Sequence, residues 1–155
     1  MSVDVIHSKL PNSGASISRA SFRLNNVSYG INATCKPPPI SEKIFIQDLQ
    51  TYFEINTIND IEVFMGDISI DILDNANNDV NDYLSALVYF GFLPYIKRLT
   101  RLDSGTCLDH IFVEQKLRAM KMKLKSYVPD THLTDHAPVL LNINFEDFLN
   151  ASGDV

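Results

Sequence analysis

The segment 60–67 (DIEVFMGD) constrains the fold more than any other part of this chain. Its centre is a short run of Ile, Val, Phe and Met, which is typical of a buried strand, and it closes on a glycine and an acid. We therefore expect a strand inside a sheet, with Asp67 at its carboxyl end.

The neighbouring segments predict the rest of an α+β domain. Apolar residues at helical spacing predict amphipathic helices over 41–54, where Ser41 provides a cap, and over 79–90. β-rich runs predict further strands at 3–9, in a hairpin over 21–34 that turns at Asn25-Asn26, and at 106–113, 120–128 and 138–145, with a loop over 10–20. This order favours a mixed, mostly antiparallel sheet with helices on one face.

Composition limits the classes of function. The chain has 155 residues and 45% hydrophobic content, which suits one domain with a real core. Its net charge of −6 argues against a broad electrostatic grip on nucleic acid. Cys35 and Cys107 form no CxxC pair, so neither a disulfide framework nor a zinc site is indicated. No signal peptide or membrane-spanning run is found, and we expect an intracellular protein, nuclear or cytoplasmic, without membrane contact.

Three carboxylates follow or begin strand-like runs. Asp67 ends one run, Asp109 lies within TCLDHIFV, and Asp135 precedes His136. Carboxylates brought together from separate strands suit Mg²⁺, and an adjacent imidazole stabilises charge on a phosphate. Taken singly, each acid is more often a turn former or a helix cap, and a His-Asp pair is more often a surface feature.

Four segments, read together, favour the functional interpretation. Residues 66–73 (GDISIDIL) resemble the GDFNIDLL segment of endonuclease domains from non-LTR retrotransposons, which are members of the endonuclease/exonuclease/phosphatase family. Thr100-Arg101 with 106–112 (TCLDHIF) is similar to the family's TR...TCIDHIF, and 134–139 (TDHAPV) is similar to SDHxPV. Upstream, 34–38 (TCKPP) resembles YRPP. All stand in the family's order.

The resemblance implies a domain organisation. It covers 21–146 and implies an α/β sandwich of this family, with 1–20 as a poorly determined segment and 147–155 as a flexible tail. Nothing before Ser21 resembles the strands that carry the family's early asparagine and its metal-binding glutamate. We therefore expect a C-terminal half with an apolar face left open, paired in a homodimer or with the missing N-terminal half.

The resemblance also implies roles for individual residues. The aspartate matching Asp67 acts on the water nucleophile or leaving group, the one matching Asp109 orients the histidine, and the histidine matching His136 holds the scissile phosphate. The match of Asp135 belongs to the metal cluster, and those of Ser69 and Lys36 contact phosphate or substrate. The implied cofactor is Mg²⁺ or Mn²⁺, and the implied partner is DNA.

Three substitutions separate the chain from the family pattern. Ser69 replaces the asparagine of GDFN, and Cys35-Lys36 replace the tyrosine and arginine of YRPP. A hydroxyl is shorter than an amide, and an ammonium is a point charge where a guanidinium binds two oxygens. With the metal glutamate absent as well, we expect metal to bind weakly or not at all and activity to be impaired.

Three interpretations stay open. The chain is a residual metal-dependent DNA endonuclease, or a non-catalytic interaction or dimerising module of the same origin. A phosphatase acting on lipid or nucleotide phosphates uses the same chemistry, although the TCLDHIF and GDISIDIL segments favour the retroelement branch.

A basic run with alternating lysines is a separate feature. Lysines alternate with Met120, Met122 and Leu124 in a run that also includes Lys116, Arg118, Lys121, Lys123 and Lys125. On a strand this spacing places the lysines on one face, which is either a solvated edge or a contact to the DNA backbone. His110 and His132 are expected to be polar loop or strand residues and not ligands.

Overall fold

A computed structural model describes residues 1–131 and 133–144. Its elements are β1 (Val3–Lys9), β2 (Ser16–Leu24), β3 (Val27–Lys36), α1 (Glu42–Asn56), β4 (Ile61–Ile68), α2 (Asn78–Tyr89), β5 (Leu93–Pro94), β6 (Asp109–Gln115), a 3-10 turn (Leu117–Ala119), β7 (Lys123–Tyr127) and β8 (Leu140–Asn144). Within these residues, no helix is long and apolar enough to cross a bilayer.

The main sheet is mixed and mostly antiparallel, as expected from the sequence. Its strand order is β1-β2-β3-β4-β6-β5, and β7 pairs with β8 in a second small sheet. Only β3 and β4 run parallel among the paired strands of the described residues, and α1 makes the crossover between them. The parallel pair places the end of β4 in the interior of the sheet, between β3 and β6.

Both helices pack on one face of this sheet. Phe53 of α1 contacts Phe64 of β4 edge-on, and Tyr83 of α2 contacts Phe112 of β6 in the same way. Phe64 and Phe112 are register partners, so the two helices share a face. On the opposite face the Tyr29 hydroxyl lies 3.5 Å from the Met122 sulfur, just before β7. The predicted layering of helices on one face is therefore confirmed.

Most element boundaries lie close to the predicted ones. The hairpin turns at Asn25-Asn26, both with positive φ, as a two-residue hairpin of primed type requires. α1 begins after Ser41, but the Ser41 side chain makes no cap hydrogen bond. Instead, Asn77 is the residue whose side chain caps a helix, because its oxygen accepts a bond from the Asp79 amide.

Two expectations were wrong in detail. Residues 16–20 belong to β2, where a loop was expected, and β1 pairs with this part of the strand. The two-residue strand β5 was not predicted, because a Leu-Pro pair carries no strand signal. The end of the 138–145 strand, the 147–155 tail and His132 lie outside the described residues.

Candidate active site

Strand register brings the first two acids together. Asp67 on β4 is the antiparallel partner of Asp109 on β6, so both side chains leave the same face of the sheet. The Ile68 amide donates to the Leu108 carbonyl at 2.8 Å and continues the pairing past the strand end. Asp71 then closes the loop, because its Oδ1 accepts the Cys107 amide at 2.9 Å.

Gly66 allows β4 to lie against β3 immediately before Asp67. It has a φ of +153°, and a Cβ at this position would lie 1.7 Å from the Thr34 carbonyl oxygen. Any other residue would push the strands apart beside the site, so the Gly-Asp order has a steric reason.

Thr100 connects the loops that complete the site. It is fully buried, and its hydroxyl oxygen accepts the Leu108 and Asp109 amides at 3.0 and 3.1 Å. Its carbonyl accepts the Ala137 amide at 2.7 Å, which fixes the loop carrying His136 next to the start of β6. The hydroxyl and the backbone carbonyl of Thr100 thus hold the start of β6 and the loop carrying His136 next to each other.

His136 lies between the two acids. Its Nδ1 donates to Asp109, 2.9 Å from Oδ2 and 3.1 Å from Oδ1, and its Nε2 lies 3.9 Å from Asp67 Oδ2. Thr134 braces the loop, since its hydroxyl donates to the His136 carbonyl at 2.7 Å and accepts the His136 amide at 3.2 Å. The Asp109 contact fixes the ring orientation and the proton on Nδ1.

Arg101 is a site residue for which the sequence predicted no role. Its Nε donates to His136 Nε2 at 2.9 Å, its terminal nitrogen contacts the same atom, and that nitrogen lies 3.7 Å from Asp135 Oδ2. The only signal in the sequence is its place after Thr100 in the TR pair. The Arg101 guanidinium therefore connects the His136 imidazole to the Asp135 carboxylate.

Donor atoms of Asp67, Asp109 and His136 all lie within 4.8 Å of one another. Asp67 Oδ1 is buried and has no hydrogen-bond partner among the described residues, which is costly for a carboxylate oxygen unless an ion or water satisfies it. Two carboxylates are also a typical protein contribution to a Mg²⁺ site, where waters fill the remaining positions. The donor set fits a divalent cation.

The other predicted site residues lie apart from this cluster. The Asp135 carboxylate is 64% exposed and contacts Arg101. Lys36 is fully buried at the end of β3, where its Nζ lies 3.3 Å from Glu42 Oε1. Ser69 is half-buried in the loop after β4. Their metal and phosphate roles stay predictions.

Burial shapes the chemistry of the residues next to the cluster. It lowers the pKa of His110 to about 4, while it raises the pKa of the Cys107 thiol to about 12 with help from the charges of Asp71 and Asp109. On the site face, burial first and the Asp67 charge second raise the pKa of the exposed Cys35 thiol. All three favour their uncharged forms, so the charge of the site stays with the acids and Arg101.

An open cleft of about 570 Å³ faces the cluster. Asp67, Asp109 and His136 form its polar floor, and Leu133, Pro138 and Val139 are among its apolar wall residues. A reacting group entering this cleft meets two acids and an imidazole on one side.

No protein-family model matches the chain, and no curated protein matches it. Solved structures do. The endonuclease domain of TRAS1, a telomere-specific non-LTR retrotransposon, superposes with a TM-score of 0.70 at 13% identity, over 93% of this chain and 68% of that one. An endonuclease/exonuclease/phosphatase family protein from Leptotrichia buccalis gives 0.65 at 18% identity, over 94% and 61%.

A third structure is similar at greater distance. The inositol polyphosphate 5-phosphatase domain of SPsynaptojanin, in complex with inositol (1,4)-bisphosphate and calcium ion, has a TM-score of 0.56 at 11% identity, over 97% of this chain and 58% of that one. These likenesses show that the chain has the α/β sandwich fold of endonuclease/exonuclease/phosphatase proteins. It spans about three fifths to two thirds of their length.

Proposed function

We propose that this chain hydrolyses phosphodiester bonds in DNA, as a metal-dependent endonuclease of the non-LTR retrotransposon type. The observation that carries the proposal is the Asp109–His136 hydrogen bond, at 2.9 Å, with Asp67 on the other side of the imidazole and an open cleft above them. The TRAS1 endonuclease, which has the same fold, supports the choice of DNA.

The residues divide the chemistry between them. Asp109 orients His136. Nε2 of His136 donates to a phosphate that takes the place of the Arg101 guanidinium at this atom, and the adjacent guanidinium also opposes the developing negative charge. Asp67 receives the proton of the attacking water. Asp67 and Asp109 would hold Mg²⁺ or Mn²⁺, which when bound neutralises phosphate charge, and Asp135 is a further proposed metal ligand by the resemblance alone. Ser69 and Lys36 are proposed phosphate or substrate contacts, by the resemblance alone.

Nicking of supercoiled plasmid in Mg²⁺ or Mn²⁺ tests this proposal. We expect weak nicking, abolished by EDTA and reduced by about 10²- to 10⁴-fold in His136→Ala and Asp109→Asn, which is the usual contribution of an acid-base or electrostatic group. Hydrolysis of bis(4-nitrophenyl) phosphate should fall in parallel. The matched control is His7→Ala, an exposed histidine on β1. If His136→Ala and Asp109→Asn nick plasmid as fast as His7→Ala and the wild type, the activity belongs to a contaminant and the proposal fails.

A second candidate is an interaction module without catalysis. The observation that favours it is the uncovered part of the sheet at its β1 edge, on the face from which Asp67 projects, where Val3 and Val5 are 47% and 55% exposed. Exposed apolar sheet surface of this kind typically contacts another chain. A fully monomeric chain that nicks DNA would exclude this candidate.

A further inference from the structure

Positive charge is concentrated in one part of this acidic chain. Between residues 97 and 125 lie eight of its 13 Lys and Arg residues but only three of its 19 acids, so this segment is net positive while the rest is strongly negative. Its basic residues are Lys97, Arg98, Arg101, Lys116, Arg118, Lys121, Lys123 and Lys125. A local contact to a polyanion is therefore compatible with the net charge of −6.

β7 arranges part of this charge in a row. Lys123, Lys125 and Tyr127 are exposed along the strand, while Leu124 and Ser126 alternate with them as half-buried residues. Because successive residues rise by about 3.3 Å, the alternating side chains are spaced at roughly 6.6 Å along the row. Lys121, in the turn just before the strand, is exposed as well and adds a third cation near the start of β7.

This row continues toward the active site through a groove of about 190 Å³. Lys97, Arg98, Tyr95 and Tyr127 are among the residues that line it, and the Ser126 hydroxyl donates to the Tyr95 carbonyl to hold its two walls together. Both walls then run into the site. The first leads to Thr100 and Arg101, and the second leads from Val128 to Thr131, which lines the cleft.

We propose that a basic strip, formed by Lys97, Arg98, Lys121, Lys123, Lys125 and Tyr127, binds the phosphate backbone of a nucleic acid strand that continues out of the active site. This rests on the proposed function and deepens it. Regularly spaced cations fit a linear polyanion, and phosphate contacts of this kind position a strand without reading its sequence. Tyr127, which is 48% exposed, adds a ring on which an unpaired base stacks.

Binding without catalysis tests the strip. Fluorescence anisotropy of a labelled 20-nucleotide single strand, titrated with the full chain in EDTA over a range of salt, gives the affinity and its salt slope. In Lys97→Gln/Lys121→Gln/Lys125→Gln we expect the slope of log K against log[salt] to flatten by about 2, since each phosphate contact on a single strand contributes roughly 0.7. The matched control, Lys9→Gln/Arg23→Gln/Lys43→Gln, also removes three exposed cations and should keep the wild-type slope.

Four outcomes decide the matter. A flattened slope in the strip variant alone supports the proposal. Equal losses in both triple variants, no binding by the wild type, or binding to phosphatidylserine vesicles in place of the oligonucleotide would each overturn it. Hydrolysis of bis(4-nitrophenyl) phosphate separates this result from the proposed function, because the strip variant should hydrolyse this small diester at the wild-type rate. Hydrolysis without oligonucleotide binding would overturn the basic strip and leave the proposed function standing. Binding without hydrolysis would overturn the proposed function and leave the basic strip standing.

Discussion

His110 shows how a single buried residue stabilises the site from behind. It is fully buried on the helix side of the sheet, its Nε2 donates to the Cys107 carbonyl at 3.1 Å, and the Tyr83 hydroxyl donates to its Nδ1 at 3.0 Å. Asp109, its neighbour in sequence, points the other way into the cleft. His110 thus connects α2 to the strand and loop that present Asp109.

This residue should make stability pH-dependent. Burial lowers the pKa of His110 from 6.5 to about 4. Between pH 6.5 and pH 4, this histidine is therefore protonated in the unfolded chain and neutral in the folded chain. The free energy of unfolding should therefore be highest above pH 6.5 and fall as the pH is lowered toward 4. Between pH 8 and pH 5 the loss from this residue is about 2 kcal/mol.

Urea denaturation of wild type and His110→Gln across this range measures the effect. The variant is less stable at neutral pH, but its stability should change less between pH 8 and 5. Tyr83→Phe is the control, because it removes the Tyr83 hydroxyl and leaves the burial that lowers the pKa, so most of the wild-type slope should persist. A slope that is the same in wild type and His110→Gln would assign the pH dependence to other groups.

At the scale of elements, β2, β3 and β4 are connected beneath α1 by a buried charged network. Glu62 of β4 is fully buried and accepts from the Arg19 guanidinium of β2 at 2.8 and 3.0 Å. The Asn32 amide donates to the same carboxylate at 3.2 Å, and the Ile58 and Asn59 amides donate to it at 3.1 Å each. Every partner compensates part of the cost of burying the charge.

Removing one charge should therefore cost more than removing both. Glu62→Leu leaves the Arg19 guanidinium buried and unpaired, and we expect the free energy of unfolding to fall by about 3–5 kcal/mol. Arg19→Met/Glu62→Leu replaces the pair by apolar groups and should recover much of this loss. Urea denaturation of both single variants and the double variant completes a double-mutant cycle. Additive losses would show that the pair contributes little beyond packing.

The same network explains where the sequence was a poor guide. Residues 16–20 (SISRA) belong to β2, and their buried positions are Ile17 and Arg19. Because the second of these is an arginine, the alternation of apolar and polar residues that is typical of a strand is hidden. A buried arginine is recognisable only once Glu62, 43 positions away, is seen beside it. By contrast, β4 has an uninterrupted apolar centre and was predicted within a residue of its bounds.

The site shows the same division between local and distant information. Asp67, Asp109 and His136 were predicted as site residues because each lies in a short motif at a strand end or a turn, which is recognisable from its own segment. The structure brings their side chains together. The contact of Arg101 with His136 depends on two loops that meet through Thr100, and no pattern in one segment encodes it. The separation of Lys36 from the cluster has a local cause. Cys35 is the register partner of Asp67, so Lys36 points to the opposite face of the sheet, where it contacts Glu42 of α1.

At the scale of the whole molecule, the face from which Asp67 projects is uncovered at the β1 edge of the sheet, and it predicts a contact with another chain. Val5 points to this face with its register partner Ala20, and Phe22 stacks on Tyr29 with ring centroids 5.0 Å apart. Met65, two residues before Asp67, is half-buried on the same face. We propose that a second copy of the chain covers this face, since it leaves Val3 and Val5 of β1 47% and 55% exposed.

Sedimentation velocity over a range of protein concentrations tests this proposal, because β1 supplies its own control. Val5 and Ile6 are consecutive, 55% and 62% exposed, and point to opposite faces of the sheet. We expect the wild type to associate with increasing concentration, Val5→Lys to shift the equilibrium to monomer, and Ile6→Lys to behave as wild type. If Ile6→Lys disrupts association as much as Val5→Lys, the contact runs through the exposed edge of β1, where an added strand pairs by backbone hydrogen bonds. A wild type that stays monomeric at every concentration would remove the homodimer and, with it, the main support for an interaction module.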